Sequence, residues 1–297
     1  MSIARQISIR PRSIRRQSAL RTIGIHTVLL FFSIVFMLPL IWMIATSLKP
    51  IEETMRTPPT WIPSTFQWHN YPDALTYGAE QLGYIPFLVY FRNTVVLCVL
   101  VVAGAVLSNA LAGYAFGRLK WKGRDVFFAL TLATMMVPFP VLMVPIFALF
   151  RELGWIGTFR PLWVPAWFGA AFNIFLLRQF FKALPFELSE AAKIDGCSEW
   201  GIFWRVVLPL SKPALAVVAL FTFMGTWNDF LGPLIYLLDQ RTFTLALGLQ
   251  FYQSQHGGTQ WNMLMAACTV VVAPVIVLFF FTQKQFIQGI AATGLKG

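Results

Sequence analysis

The chain has 297 residues, of which 57% are apolar and only 12% charged, against about a quarter charged in ordinary soluble domains. That deficit excludes a typical water-soluble globule and points to lipid as the solvent, in keeping with 29 Phe and 11 Trp. The net charge of +11 does not mark a nucleic-acid binder, because the basic residues lie between apolar runs instead of in one patch.

Residues 1–22 form a basic tail, with six Arg and no acid between 5 and 21. Its expected role is orientation and contact with anionic membrane lipid. From residue 23 onward the apolar runs begin. A spanning helix needs about 20 mostly apolar residues, and six stretches qualify: 23–46, 94–116, 126–150, 162–177, 213–238 and 263–282. The fold class is therefore an all-α membrane protein with six transmembrane helices over 23–297. The first span is too long for the apolar part of a cleaved signal and no small-x-small site follows it, so it reads as an uncleaved anchor. Of the 23 Lys and Arg, 17 fall in the first, third, fifth and seventh non-membrane segments and 6 in the others. The positive-inside rule then sets both termini in the cytoplasm. The longest outer loop covers 49–92 and is broken up by Pro63, Pro72 and Pro86, which predicts short interfacial pieces and no separate domain.

Chemistry-bearing clusters are sparse. Cys98, Cys197 and Cys268 have no CxxC spacing, and His26, His69 and His256 are scattered, so neither a disulfide framework nor a metal site is expected. A phosphate-binding G-x-x-x-x-G-K-[ST] loop is missing, as the dipeptide Gly-Lys never occurs; no nucleotide is expected to bind this chain in that manner. A single acid within a predicted span and no visible internal repeat argue against a secondary transporter or channel. A membrane enzyme lacks any metal motif or nucleophile–base set. Asn93, Thr94, Ser108 and Asn109 on the second span could line a cavity or hydrogen-bond neighbouring helices.

The loop 184–209, between the fourth and fifth spans, reads as helix, turn, helix. Pro185 suits a first turn, Glu187 and Glu190 sit where the helix dipole favours acids, and Gly196 can take the left-handed conformation that ends a helix. Ser198 can cap the next helix, and Pro209 helps to end it. Leu188, Ala191 and Ala192 share one face by their spacing. Physics alone leaves open a short amphipathic helix lying on the membrane.

The order Glu190-Ala191-Ala192, three residues, Gly196, nine residues, then Val206-x-Leu208-Pro209 resembles the EAA loop of ABC importer permeases, with Val206 where Ile is usual. The segments Ala112-Gly-Tyr-Ala-Phe-Gly-Arg118, Met136-Val-Pro138, Val144-Pro145, Pro209-Leu-Ser-Lys-Pro213, Trp227-Asn-Asp-Phe230 and Gly289-Ile-Ala-Ala-Thr-Gly-Leu-Lys-Gly297 are similar to the carbohydrate-uptake type, in particular to its six-span maltose permease subunit. The resemblance runs from about residue 25 to the end. It implies a heterodimer with a second permease subunit, two ATPase subunits that bind the ATP and Mg, an extracytoplasmic solute-binding protein, and the bacterial or archaeal inner membrane. No cofactor is expected on this chain itself. It further implies that Glu190, Ala191, Ala192, Asp195 and Gly196 form the ATPase-coupling element, with Glu190 meeting basic residues in a cleft of the ATPase. By the same resemblance Trp227, Asn228 and Asp229 lie along the translocation pathway; an interhelix role for Asp229 and an interfacial anchor role for Trp227 stay open. The loop around Gln253, Gln255, Gly257 and Gly258 would reach the binding protein, or else simply connect two spans. The implied solute is a sugar or oligosaccharide; a glycerol phosphate or an acidic oligosaccharide is the alternative.

Overall fold

The computed structural model describes residues 12–253 and 258–294, and among them every regular element is helical. The principal helices are α1 (Arg12–Ser47), α2 (Pro86–Gly117), α3 (Arg124–Ala133), α4 (Phe139–Glu152), α5 (Ala171–Ala183), α6 (Glu187–Ile194), α7 (Lys212–Trp227) and α8 (Trp261–Gly294). Helix α2 is the axis. Its 32 residues extend about 48 Å at 1.5 Å per residue, and α5, α7 and the short turn Val164–Phe168 pack around it. Helix α8 packs on α7, and α1 lies along α8. Between residues 21 and 38 the side of α1 is exposed all round. An apolar helix without a polar face belongs in lipid or against another membrane chain.

Glycines set how closely α2 is approached. A Cβ at Gly113 would lie 3.0 Å from the Leu177 Cβ and 3.2 Å from the Arg178 backbone nitrogen, and one at Gly117 3.3 Å from the Arg178 carbonyl oxygen. Two glycines four apart thus form the small-xxx-small groove that lets membrane helices meet backbone to backbone. At Gly104 the Trp167 indole fills the missing side chain's place, and its Nε1 donates to the Leu100 carbonyl (3.2 Å). Two buried clusters result, one at each end of α2. Phe87, Tyr90, Cys98, Trp227, Tyr252 and Leu264 gather at the Pro86 end; Ala110, Tyr114, Leu177, Phe181, Phe203 and Val218 gather at the Gly117 end.

The predicted spans are recovered unevenly. Arg21–Ser47, Pro86–Gly117 and Trp261–Gln283 are long and apolar enough to cross a membrane. The third prediction, 126–150, is no single helix: it bends by 100° between Arg124–Met136 and Phe139–Glu152. Val137 is extended (φ −83°, ψ 114°) before Pro138, because the proline ring disfavours helical backbone in the preceding residue. The fourth, 162–177, is divided at Gly169 (φ +89°), a left-handed residue between the turn Val164–Phe168 and α5. Helix α5 has 13 residues, about 20 Å, short of the roughly 30 Å hydrocarbon core. The fifth, 213–238, stops at Trp227 and resumes only at Leu231–Tyr236. There the Asp229 carboxylate accepts from the Gly232 N–H (3.0 Å), a local bond that competes with continued helix.

The loop 49–92 folds as a cap of short helices, Ile51–Thr54, Asn70–Thr76 and Ala79–Leu82. Asn70 is its joint. The buried amide donates to the Ser47 carbonyl (2.9 Å) and the Lys49 carbonyl (3.0 Å), and its oxygen accepts from the Asn262 amide (3.0 Å). One side chain therefore satisfies carbonyls at and just past the end of α1 and ties them to the start of α8.

Candidate functional site: the helix-turn-helix at the Gly117 end

The loop 184–209 is a helix-turn-helix. Its first arm is α6, and its second begins with Glu199–Ile202 and continues as a π turn, Phe203–Val207, and a last helical turn, Leu208–Leu210. Gly196 has φ +81°. The Gly196 N–H donates to the Lys193 carbonyl (3.0 Å) and the Cys197 N–H to the Ala192 carbonyl (2.9 Å), the paired bonds of a left-handed glycine cap. Ser198 caps the second arm, its Oγ accepting from the Gly201 N–H (3.2 Å). The helix proper begins at Glu187, so Pro185 precedes it instead of occupying its first turn. Pro209 does not end the second arm at once. It lacks an N–H for the ordinary ladder, the wider π turn lies immediately before it, and the helix closes at Ser211.

Exposure divides α6 into two faces. Ser189 (9% exposed) and Ala192 face the protein, Ala192 packing on the cluster at the Gly117 end. Glu187, Leu188, Glu190, Ala191 and Ile194 are exposed, as are Asp195 and Gly196 in the turn. Ile194 is 86% exposed and Leu188 42%. The three-residue face of Leu188, Ala191 and Ala192 is therefore split, Ala192 turning inward. Carboxylates beside uncovered aliphatic side chains on a rigid turn form a face that can take a basic, partly apolar partner.

Two residues that sequence reasoning did not single out hold this element. Arg118, 8% exposed, donates through Nη1 to the carbonyls of Phe181 (3.3 Å) and Leu184 (2.7 Å), and through Nη2 to the Pro185 carbonyl (3.1 Å) and Ser189 Oγ (2.6 Å). Its guanidinium also lies 4.0 Å from the centre of the Phe186 ring. Phe181 and Leu184 stand at the C-terminus of α5, where a cation is favoured. The Tyr114 hydroxyl donates to Glu199 (2.9 Å), which also pairs with Lys193 at 2.5 Å. The bond from Lys193, then that from Tyr114, holds the Glu199 carboxyl below the ordinary carboxylate range. A lowered acid contributes above its unfolded pKa, so this tie is present at neutral pH and is lost only as pH falls through the lowered value. The available signal was Arg118 itself, a charge directly after a Gly-x-x-x-Gly helix end.

The other candidate residues lie elsewhere. Trp227 is 3% exposed; its Nε1 donates to the Val271 carbonyl (3.2 Å) and its ring packs on Phe223 and Phe91. Asn228 is exposed and bonds back to the Met224 carbonyl (2.8 Å), and Asp229 occupies the helix break. Asn93 donates to the carbonyls of Arg241 (2.8 Å) and Phe243 (3.0 Å), and Thr94 Oγ1 accepts from the Leu245 N–H (2.8 Å). Ser108 donates to the Ala166 carbonyl (3.1 Å), and Asn109 accepts from the Ala170 N–H (2.7 Å). These four polar groups thus bind neighbouring segments. Gln253 is exposed and Gly258 has φ +139°; Gln255 and Gly257 lie outside the described residues. That loop is anchored at Tyr252, whose hydroxyl donates to the Ala74 carbonyl (2.6 Å) and whose ring stacks on Tyr77.

Apolar helices, some unbroken and some sharply bent, carrying an exposed helix-turn-helix clamped to their axis, define a transport subunit of the permease class. The chain belongs to the family of binding-protein-dependent transport system inner membrane components, matched over residues 109–292. It is 36% identical to the arabinooligosaccharides transport system permease protein AraQ of Halalkalibacterium halodurans, over 90% of this chain and 94% of that one. It is 31% identical to the trehalose/maltose transport system permease protein MalG of Thermococcus litoralis, over 95% and 99%, and 33% identical to the sn-glycerol-3-phosphate transport system permease protein UgpE of Pectobacterium atrosepticum, over 80% and 85%. In fold it is similar to a chain of a crystallised bacterial ABC transporter involved in the import of the acidic polysaccharide alginate, with a TM-score of 0.75, 22% identity and coverage of 93% and 98%. The chain is a non-enzymatic permease subunit, an integral component of the inner membrane.

Proposed function

We propose that the chain forms half of the translocation pathway of an ATP-driven importer for an oligosaccharide, paired with a second permease subunit and served by an extracytoplasmic solute-binding protein. The observation that carries this reading is the exposed, acidic helix-turn-helix, which supplies a docking face to a chain with no phosphate loop of its own. ATP and Mg belong to two ATPase subunits; Glu190 and Ala191 make the docking contact, Asp195 and Gly196 shape the turn beside it, and Ala192 packs behind it. The carbohydrate names of AraQ and MalG support a sugar. UgpE and the alginate transporter favour, as a second reading, a solute that carries negative charge. Asn228 and Asp229, at the helix break, contribute to the pathway; Trp227 acts behind them through packing. The loop at Gln253, Gln255, Gly257 and Gly258 contacts the binding protein. Six crossings, three of them made by bent or broken helices, put both termini on one side of the membrane, which the distribution of basic residues makes the cytoplasm.

Proteoliposomes of the co-expressed complex, with binding protein outside and ATP inside, are expected to accumulate labelled arabino- or malto-oligosaccharide. Unlabelled glycerol 3-phosphate or oligoalginate competing for that uptake would establish the anionic reading, and no ATP-dependent uptake of any of these would refute both. For topology, cysteines introduced at residues 10 and 295 are expected to resist a membrane-impermeant maleimide in intact cells and react after lysis. Labelling of either end from outside would overturn the assigned orientation.

A further inference from the structure

We infer that Tyr114 and Arg118 form a two-point grip by which α2 holds both arms of the docking element, so that motion of that element reaches the far end of the permease through α2. The inference rests on the docking reading above. The residues stand four apart, one turn of the same helix end. Arg118 takes the first arm and its lead-in, through the carbonyls of Leu184 and Pro185 and Ser189 Oγ. Tyr114 takes the second arm through Glu199, and the Lys193–Glu199 pair closes the two arms on each other. The glycine cap at Gly196 fixes the angle between them. Arms bonded to one helix at two points resist rotation about either point alone.

The other end of α2 is bonded just as specifically. Asn93 and Thr94 hold the backbone of Arg241, Phe243 and Leu245, which lies between the helix break at Asp229 and the loop that follows Tyr252. From Arg118 back to Asn93 is about 38 Å along a helix at 1.5 Å per residue. Side-chain bonds at both ends and backbone-close packing at Gly113 and Gly117 make α2 a single stiff member between two surfaces. Tyr114 and Arg118 are positioning residues. They sit behind the docking face, Arg118 against the buried Ser189 and Tyr114 against Glu199 and Phe203, so their role differs from contact with a partner.

Arg118→Lys keeps the charge and loses the fork, since an ammonium cannot serve two pairs of acceptors in fixed planes. In the reconstituted complex, uptake per assembled transporter is expected to fall at least about tenfold, the scale of one charge-assisted hydrogen bond. ATP hydrolysis per transporter should fall much less, so that more ATP is consumed for each solute imported. Tyr114→Phe removes one oxygen and should shift the same ratio in the same direction by a smaller factor; it decides the matter if Arg118→Lys does not assemble. A purely structural role would lower uptake and hydrolysis in parallel with the yield of complex, leaving ATP per solute unchanged. That result, or wild-type behaviour, would overturn the grip. Failure of the docking reading shows separately, as wild-type ATPase co-purification and uptake in Glu190→Ala.

Discussion

Glu190→Ala is expected to leave the protein inserted and folded while weakening its union with the ATPase. The residue is exposed on α6; its backbone N–H donates to the Phe186 carbonyl (3.1 Å), which truncation keeps, and its side chain makes no hydrogen bond or ion pair among the described residues. Against a basic cleft, deleting one member of a desolvated charge pair costs about 2–5 kcal/mol, or roughly 30- to 4,000-fold in the local association constant. In the heterodimer proposed above, a second loop from the partner permease retains part of the affinity through effective concentration. Uptake is therefore expected to fall further than co-purification. Glu199→Ala, on the other arm, is a different lesion. It unties Tyr114 and Lys193 and should change the energy cost of transport more than the amount of ATPase bound. Co-purification and labelled-solute uptake, measured on both variants, distinguish the two. Equal loss of ATPase binding from both would count against separate roles for the two carboxylates.

Gly113→Leu is expected to destabilise the helical body by forcing α5 away from α2. Even the first added atom would meet the Leu177 Cβ at 3.0 Å and the Arg178 backbone nitrogen at 3.2 Å. Neither is the free end of a flexible side chain, so α5 would have to move away from α2. Overpacking of this kind costs about 1–3 kcal/mol, more than the about 1 kcal/mol that replacing a helical glycine returns through propensity. The displaced α5 would also withdraw the Phe181 and Leu184 carbonyls from Arg118. Gly24→Leu is the matched control, since nothing lies within 4 Å of a Cβ there. Heating the detergent-solubilised complexes and following the monodisperse fraction by size-exclusion chromatography should give a lower midpoint for Gly113→Leu alone. Equal midpoints would mean that the α2–α5 approach is not a tight contact.

Apolar length was readable wherever a helix runs unbroken: α1, α2 and α8 follow their hydropathy. It failed where the backbone breaks inside an apolar run. Averaging over about 20 residues cannot register Val137-Pro138 or Gly169, because each leaves the mean hydropathy almost unchanged, and it blurs Asn228-Asp229 among the apolar residues on either side. The helix-turn-helix at 184–209 was legible for the opposite reason. Its turn needs a left-handed residue at Gly196 and a cap at Ser198, and such local demands leave residue-level marks. Arg118 was not legible, since its acceptors are mostly backbone carbonyls, which any sequence supplies. It counted only as one of the positive charges that orient the chain and as the last residue of a segment that resembles related permeases, with no contact assigned to it. The inward turn of Ala192 was hidden as well: helical spacing says which residues share a face, and only packing says which way that face turns.

The bond from Asn262 to Asn70 spans 192 residues of chain. At synthesis rates of about 5–20 residues per second, Asn70 emerges roughly 10–40 s before its partner exists. Through that interval the amide can hold the carbonyls of Ser47 and Lys49, but its own oxygen has only water. The cap of short helices is thus closed late, only once Asn262 at the start of α8 has been synthesised. A chain truncated before Asn262 would carry the first helix and its cap without that bond.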